Sequence, residues 1–544
     1  MAGRKQDHEI QISHSIALKV LDDILNDFDL ARSDGSSTVE LLGPIPEANQ
    51  TNSQHINMSL IGAVPSLANA IVATQIFEAR GGEPQRIAVD LQRSHNYLDP
   101  DIGMTPTING QEITLDLVAG NPFLGNIYET ADGRHVVPSA VYVDLVYQWS
   151  TFLRCAVNTA DVAAAIANWK AEDLERAAEV ADLPFAVVQS EESWAATEQG
   201  QHMAALPIVP IRKVMSSPPK SLSPNPSRPL EGLKVLCLTH AIAGPSAGRT
   251  LAEYGASVLQ IMYTHGFEHP FVYTYANLGC ASSRLDFNKE CDRSHLWDLI
   301  KEADVWIDSY RDGALSKFGF VDQMLQQVNP SLIISHVRLY GTSGPWSSKP
   351  GFDMQGSASS GMMALCGGGI ETPSFPPGLV INDYTTGYYG ALAIQAAVLR
   401  RMKEGGGYIL SPSLAGTATS IVKHFKTSNF PEIQDNKTSK LPPHELKAQT
   451  KVGLLKTLQP LPVLSKTPLC YSHLVLSPMG SDPPLFPGSR ATYDGDKVKA
   501  NKKDELLHRW SSSITARMEN LRQNGSKPVY AETASQPSSG SHKL

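Results

Sequence analysis

No CxxC pair and no CxH spacing occurs among the six cysteines, Cys155, Cys237, Cys280, Cys291, Cys366 and Cys470. Thiols scattered in this way argue against a disulfide framework or a zinc site and favour a reducing compartment. A surplus of positive charge is also missing: the formal net charge is −8, whereas general nucleic-acid binding needs Lys and Arg to neutralise phosphates. The stretch read as most apolar, Gly390 to Leu399, is too short to span a bilayer and carries Gln395. The opening MAGRKQDHEIQ leads into no apolar core of a secretory signal. These gaps predict no membrane and no nucleic acid, and the Cys/His spacing calls for no metal or redox cofactor.

A chain of 544 residues, 42% hydrophobic and 18% charged, has room for two to four soluble domains around large cores. Residues 1–50 offer one amphipathic helix, from Ile16 to Phe28. Residues 51–215 form an N-terminal half, closed by a Pro- and Ser-rich linker at 216–227 (SSPPKSLSPNPS). Residues 228–425 form a central region. Residues 426–544 read as an irregular, Pro-interrupted segment, with the part from Glu532 onward disordered. The final His542-Lys543-Leu544 differs from the Ser-Lys-Leu peroxisomal address only at its first position. The location expected is intracellular, cytoplasmic or peroxisomal.

The central region alternates strands and helices. Lys234 to Thr239 (KVLCLT) is a short apolar run suited to a parallel sheet, followed by a turn at Gly244-Pro245 and a helix that Gly255 terminates. Further strands are expected at 257–262, 304–310 and 331–337, with helices at 294–302, 314–328 and about 388–401. This rhythm predicts an α/β protein with a doubly wound parallel sheet. Two stretches echo each other: IFEARGGEPQRIAVDL (76–91) and AVLRRMKEGGGYILSPSL (397–414) both run from helix through a glycine-rich turn to a strand. They read either as two copies of one supersecondary unit or as a chance likeness.

The stretch from Pro229 to Gly255, PLEGLKVLCLTHAIAGPSAGRTLAEYG, resembles the opening of the family III CoA-transferases (the CaiB/BaiF group). The likeness continues through Leu285-Asp286, Ala303-Asp304-Val305, Gly313-Ala314-Leu315, Asn329-Pro330, Tyr340-Gly341, Gly344-Pro345 and Gly351-Phe352-Asp353. It closes with Asn382-Asp383-Tyr384-Thr385-Thr386-Gly387 and Ser413-Leu414. Farther forward, Thr130 to Arg134, Trp169 with Glu172, Leu183-Pro184 and Glu191 to Trp194 resemble the small α+β domain that follows in that family. The fold implied is a Rossmann-like sheet with a smaller α+β domain, in permuted or partly duplicated order. Near Leu60, where the echo should carry the nucleophile, HINMSLIGA contains no Asp, so this degenerate first copy is expected to be chemically dead.

The resemblance implies transfer of coenzyme A from an acyl-CoA donor to a carboxylic acid acceptor, by a homodimer. Read locally, Asp383 is a helix N-cap; with the flanking family blocks it falls at the family's nucleophile position. Ala241-Ile242-Ala243 match the loop lying along CoA, Lys317 matches a basic position near its phosphates, and Phe352 belongs to the same set. Ser309 stands where Asn is common. Racemases of the family carry His at the position of Phe352, and Phe cannot move a proton, so transfer is favoured over racemisation. Asp353 is a second carboxylate, read mainly as a hydrogen-bonding group. Two cationic features of the family are replaced here, by Met262-Tyr263 and by Gly279-Cys280-Ala281; Arg284 and Arg311 are the nearby candidates to take their place. Gly361 and Gly367-Gly368-Gly369 read as a segment over the site or as a surface loop, and Gly405 to Gly407 as a helix end. A non-catalytic relative keeping the fold is the remaining alternative.

Overall fold

The computed structural model describes residues 2–46, 55–98, 103–114, 120–264, 266–378, 380–430, 440–471 and 473–489. Residues 1–489 form one compact unit. The peroxisome-like His542-Lys543-Leu544 and the stretch from Glu532 lie outside the described residues.

The centre is a seven-stranded sheet. Its strands are β1 (Ile211–Met215), β2 (Lys234–Leu238), β3 (Ser257–Tyr263), β4 (Ala281–Leu285), β5 (Val305–Asp308), β6 (Ile333–His336) and β7 (Gly407–Leu410), in the order β4-β3-β2-β5-β6-β7-β1. All pairs are parallel except β7 with β1. Strands such as KVLCL and VWID are apolar nearly throughout because helices cover both faces. The six parallel strands run third, second, first, fourth, fifth, sixth, the doubly wound order. The chain therefore reverses direction between β2 and β5, and a crevice opens beyond their carboxyl ends.

Four helices matter for the site: α1 (Met58–Ala79), α2 (Ala243–Glu253), α3 (Asp353–Ser359) and α4 (Ile381–Glu404). Helix α4 begins at Ile381, well before the Tyr388 start read from the sequence. It is buried on every side from Ile381 to Leu399, so it is not amphipathic. Its close approach to α2 needs a glycine: a Cβ on Gly387 would stand 2.6 Å from Ser246 Cβ. On the other flank lies α1, where Asn69 Nδ2 donates to the Tyr388 carbonyl at 2.9 Å and Gln395 Nε2 donates to Asn69 Oδ1 at 2.7 Å. Both bonds give partners to polar groups that burial would otherwise leave costly.

Helix α1 corrects the reading of Gly390–Leu399 as the most apolar stretch. It is long and apolar enough to cross a membrane, and its apolar window is wholly buried inside the protein. It joins two parallel strands, Thr38–Leu42 and Arg86–Asp90. The two echoing sequences thus share one course: α1 and then strand 86–90, α4 and then β7. Gly405 and Gly406, both with positive φ, end α4 as expected.

The small region has an antiparallel sheet (Tyr128–Glu129, His135–Pro138, Phe185–Val187) under helices 143–153, 159–166 and 171–180. Its Thr130–Arg134 turn is fixed by Asp132 Oδ1, which accepts from Thr130 Oγ1 at 2.7 Å and from the Ala171 N–H at 3.0 Å. Residues 216–227 contain no helix or strand but are tied down, with Arg80 donating to the Ser223 carbonyl and Ser217 Oγ accepting from the Gly406 N–H. The expected helix at 314–328 is interrupted: Gly319 turns at φ +91° and lets Phe320 enter the core. Past residue 426 the chain is less irregular than expected. Strands 445–450 and 453–458 form a hairpin whose alternating polar and apolar residues leave one face in solvent.

A charged knot closes the ends of β5 and β6. Asp308 binds His336 Nδ1 at 2.6 Å and Arg338 Nη1 at 2.8 Å, and His336 Nε2 reaches Asp322 at 3.0 Å. Burial opposes the imidazolium, but Asp308 and Asp322 outweigh it and lift His336 to about 10. Because this folded pKa exceeds the unfolded 6.5, the stabilisation is complete below about 6.5 and disappears as pH rises through about 10. Replacing His336 with Asn should cost about 3 kcal/mol near neutral pH. It should also flatten the fall in denaturation midpoint between pH 7 and 10 seen in the parent; urea titrations at the two pH values measure both effects.

Candidate functional site

Asp383 is the third residue of α4, inside its first turn rather than at the cap, so its own N–H is one that the helix leaves unpaired. Asp353, at the start of α3, supplies the acceptor: its Oδ2 takes the Asp383 N–H at 2.8 Å, and its Oδ1 takes Asn382 Nδ2 at 2.8 Å. Asn382 Nδ2 also reaches Ser357 Oγ at 2.7 Å. Asp353 is 2% exposed and Asp383 8%. The hydrogen-bonding role read for Asp353 is therefore what its contacts display. It fixes the start of α4, where aligned N–H groups favour a carboxylate.

Beyond the end of β2 the backbone is strained. Ala241 has φ +59°, unusual for a residue with a side chain. Across the crevice, Ser309 after β5 ties the two strand ends together: His240 N–H donates to Ser309 Oγ at 3.0 Å, and Ser309 Oγ donates to the His240 carbonyl at 3.1 Å. Ala241 N–H donates to Glu268 Oε2 at 2.5 Å, and His269 N–H donates to Glu268 Oε1 at 3.0 Å. Ile242 precedes α2 and Ala243 opens it. The Ala241-Ile242-Ala243 loop thus lies at the switch point of the sheet, where ligands of such folds bind.

One side chain crosses to this place from the small region. Tyr142 has its hydroxyl 3.0 Å from His240 Nδ1 and donates to Glu268 Oε2 at 3.3 Å. Its ring packs against Phe352 and His240, with centroids 6.1 and 5.9 Å apart. Burial, then the charges of Glu268 and Asp383, push the phenol well above its ordinary pKa. Burial pulls His240 down to about 4 and lifts Glu268 to about 7. The imidazole is therefore neutral at pH 7.

Phe352 belongs to this cluster, joined to Asp383 through its neighbour Asp353 and covered by Tyr142. Lys317 does not join it: exposed after β5, its ammonium stands 5.0 Å from the Phe318 ring centroid. Arg284 is committed to backbone, donating to the carbonyls of Tyr263, Thr264 and Gly266. Arg311 pairs with Asp182 at the surface. Cys280 and Ala281, which replace the family's cations, are buried at the start of β4. Gly361 starts helix 362–367, and Gly368 with positive φ ends it. A cavity of about 650 Å³ elsewhere, bordered by Asp22, Arg32, Ile71, Gln75 and Glu78, shares no lining residue with the Asp383 cluster. Sequence reading missed Tyr142, His240 and Glu268. A signal existed for His240 alone, since it follows the first parallel strand at the switch point.

The model of CoA-transferase family III matches residues 230–448, a span that contains both Asp383 and the switch-point loop. Over that segment the chain is similar to CoA-transferase family III. The acetyl-coenzyme A transferase nodX of Hypoxylon pulicicidum is 36% identical over 242 residues, covering 42% of this chain and 41% of that protein. The human succinyl-CoA:glutarate CoA-transferase is 31% identical over 215 residues, covering 37% and 48%. A solved CaiB/BaiF family protein from Brucella suis matches at 26% identity with TM-score 0.34, over 42% of this chain and 65% of that one. The chain spans about half the length of the curated relatives it matches.

The Asp353 contacts give a direct test of how the family segment holds its first turn. Asp353→Ala leaves the buried Asp383 N–H without its acceptor and leaves Asn382 Nδ2 with Ser357 Oγ as its remaining side-chain acceptor. It should lower stability by about 1–3 kcal/mol. Asp353→Asn, which retains one acceptor oxygen, should lose less; urea unfolding of both variants separates the two.

Proposed function

We propose that the protein moves coenzyme A from an acyl-CoA to a carboxylic acid, with Asp383 as the covalent nucleophile. The observation that carries this reading is the placement of Asp383: a carboxylate in the first turn of α4, its N–H held by Asp353, within the matched family segment. An Asp383 oxygen attacks the thioester carbonyl, the C–S bond breaks, and the CoA thiolate leaves a mixed anhydride. The thiolate then attacks the aspartyl carbonyl and releases the donor acid, forming an aspartyl-CoA thioester. The acceptor carboxylate attacks this thioester, giving a second anhydride and freeing the thiolate. Attack of that thiolate on the acceptor's acyl carbon forms the new acyl-CoA and restores Asp383. Dividing one displacement among such steps is what a carboxylate nucleophile contributes, and no step consumes or releases a proton.

Racemisation would need a second acid/base beside Asp383, and Phe352, which stands where the family's racemases carry His, has no titratable group. Ala241, Ile242, Ala243 and Phe352 are the residues proposed to contact CoA. Lys317, outside the cluster, would reach only a distal phosphate. Substrates in the names of relatives suggest the assay: acetyl-CoA or succinyl-CoA as donor, glutarate as acceptor. Asp383→Asn should reduce formation of new acyl-CoA by roughly 10⁴-fold. In the parent protein, a CoA adduct trapped under donor should map to the peptide carrying Asp383. Full exchange by Asp383→Asn, or an adduct on another peptide, contradicts the assignment.

A further inference from the structure

The geometry points to Tyr142 as the hydrogen-bond donor that stabilises the oxyanion formed when the thioester carbonyl is attacked. This rests on the transferase reading above and adds a residue that the family-matched segment does not contain.

Attack on a thioester drives negative charge onto the carbonyl oxygen, and a donor already aimed at that oxygen lowers the barrier. The side of Asp383 toward Asp353 and Asn382 cannot supply one, because the donors there, the Asp383 N–H and Asn382 Nδ2, are already given to Asp353 and Ser357. Tyr142 faces the site from outside the sheet region. It keeps part of its surface exposed, rests on Phe352, and is close enough to Asp383 to feel its charge. Its segment is anchored where it crosses: Trp149 Nε1 donates to the Ser139 carbonyl at 3.0 Å, and Ser139 Oγ lies 4.0 Å from Met354 Sδ in α3.

The partners of the phenol leave its proton free to move. In the Nδ1–H tautomer, neutral His240 donates to the Tyr142 oxygen across the 3.0 Å contact. The phenol then directs its own hydrogen to Glu268 across 3.3 Å, the longer of its two contacts. Glu268 has other donors, the N–H groups of Ala241 and His269, so losing the phenol does not orphan it. Turning that hydrogen to the acyl oxygen therefore exchanges one weak bond for a charge-assisted one. His240 is a positioning residue in this arrangement, holding the oxygen while the hydrogen swings.

The test uses the full chain and the donor–acceptor pair that gives exchange in the parent. Tyr142→Phe keeps the ring on Phe352 and removes only the hydroxyl. It should lower kcat by about 10²-fold, with KM for the acyl-CoA within twofold; the buried His240 N–H loses its acceptor, so the thermal midpoint should fall by a few degrees while the protein stays folded. If Tyr142→Phe does not fold, His240→Gln carries the test, with kcat expected to fall about tenfold at constant KM. An unchanged kcat, or a loss appearing in KM alone, overturns the assignment. Asp383→Asn run in parallel separates the two claims. If it is inactive while Tyr142→Phe is fully active, only the Tyr142 role fails; if Asp383→Asn stays active, the transferase mechanism itself fails.

Discussion

Complete burial of helix α4 is the constraint from which the rest follows. A helix apolar on one stripe needs one neighbour; a helix hidden on all sides needs a wall around it. Helix α2 forms one part of that wall, α1 another, and α3 seals the first turn through the Asp353 carboxylate. Each contact is specific: a glycine permits the approach to α2, an Asn–Gln pair bridges to α1, and a carboxylate receives the N–H of Asp383. Asp383 is held still because its helix has no free face on which to move. Pre-organisation of this kind is how a fold supplies geometry to chemistry.

The same burial explains what could and could not be read beforehand. Strands β2, β3, β5 and β6 are short apolar runs bounded by turns, and they lie close to where the pattern predicts. Strand β4 (ASSRL) escapes because small polar residues replace the apolar run, and β1 (IRKVM) because it is a charged edge. Helix α1 shows no 3.6-residue alternation, since all its faces are covered, and only its final turn is visible in the echo. Helix α4 starts earlier than its pattern because Thr385, Thr386 and Gly387, weak helix formers, are fixed by packing; Thr385 Oγ1 caps back onto the Ile381 carbonyl at 2.7 Å.

The site divides along the same line. Asp383 and the Ala241–Ala243 loop are legible because they sit in contiguous motifs beside recognisable elements. Tyr142 and Glu268 are not, since no spacing in the chain announces that a tyrosine from the small region will meet a glutamate that follows β3. The missing cations have a physical explanation too. Cys280 and Ala281 are buried where they stand, so a charge there would have to be desolvated. Arg284 instead braces the turn after β3, which keeps Glu268 within reach of Ala241.

Helix α1 also shapes how the chain comes into being. The ribosome makes it early, whereas α4, one of its main covers, is made only after most of the sheet. Throughout that interval a long, largely apolar helix lacks part of its native cover, and its length and composition are those of a segment that could cross a bilayer. Successful maturation therefore depends on shielding this segment during synthesis, a demand created by drawing the early and late parts of one polypeptide into a single core.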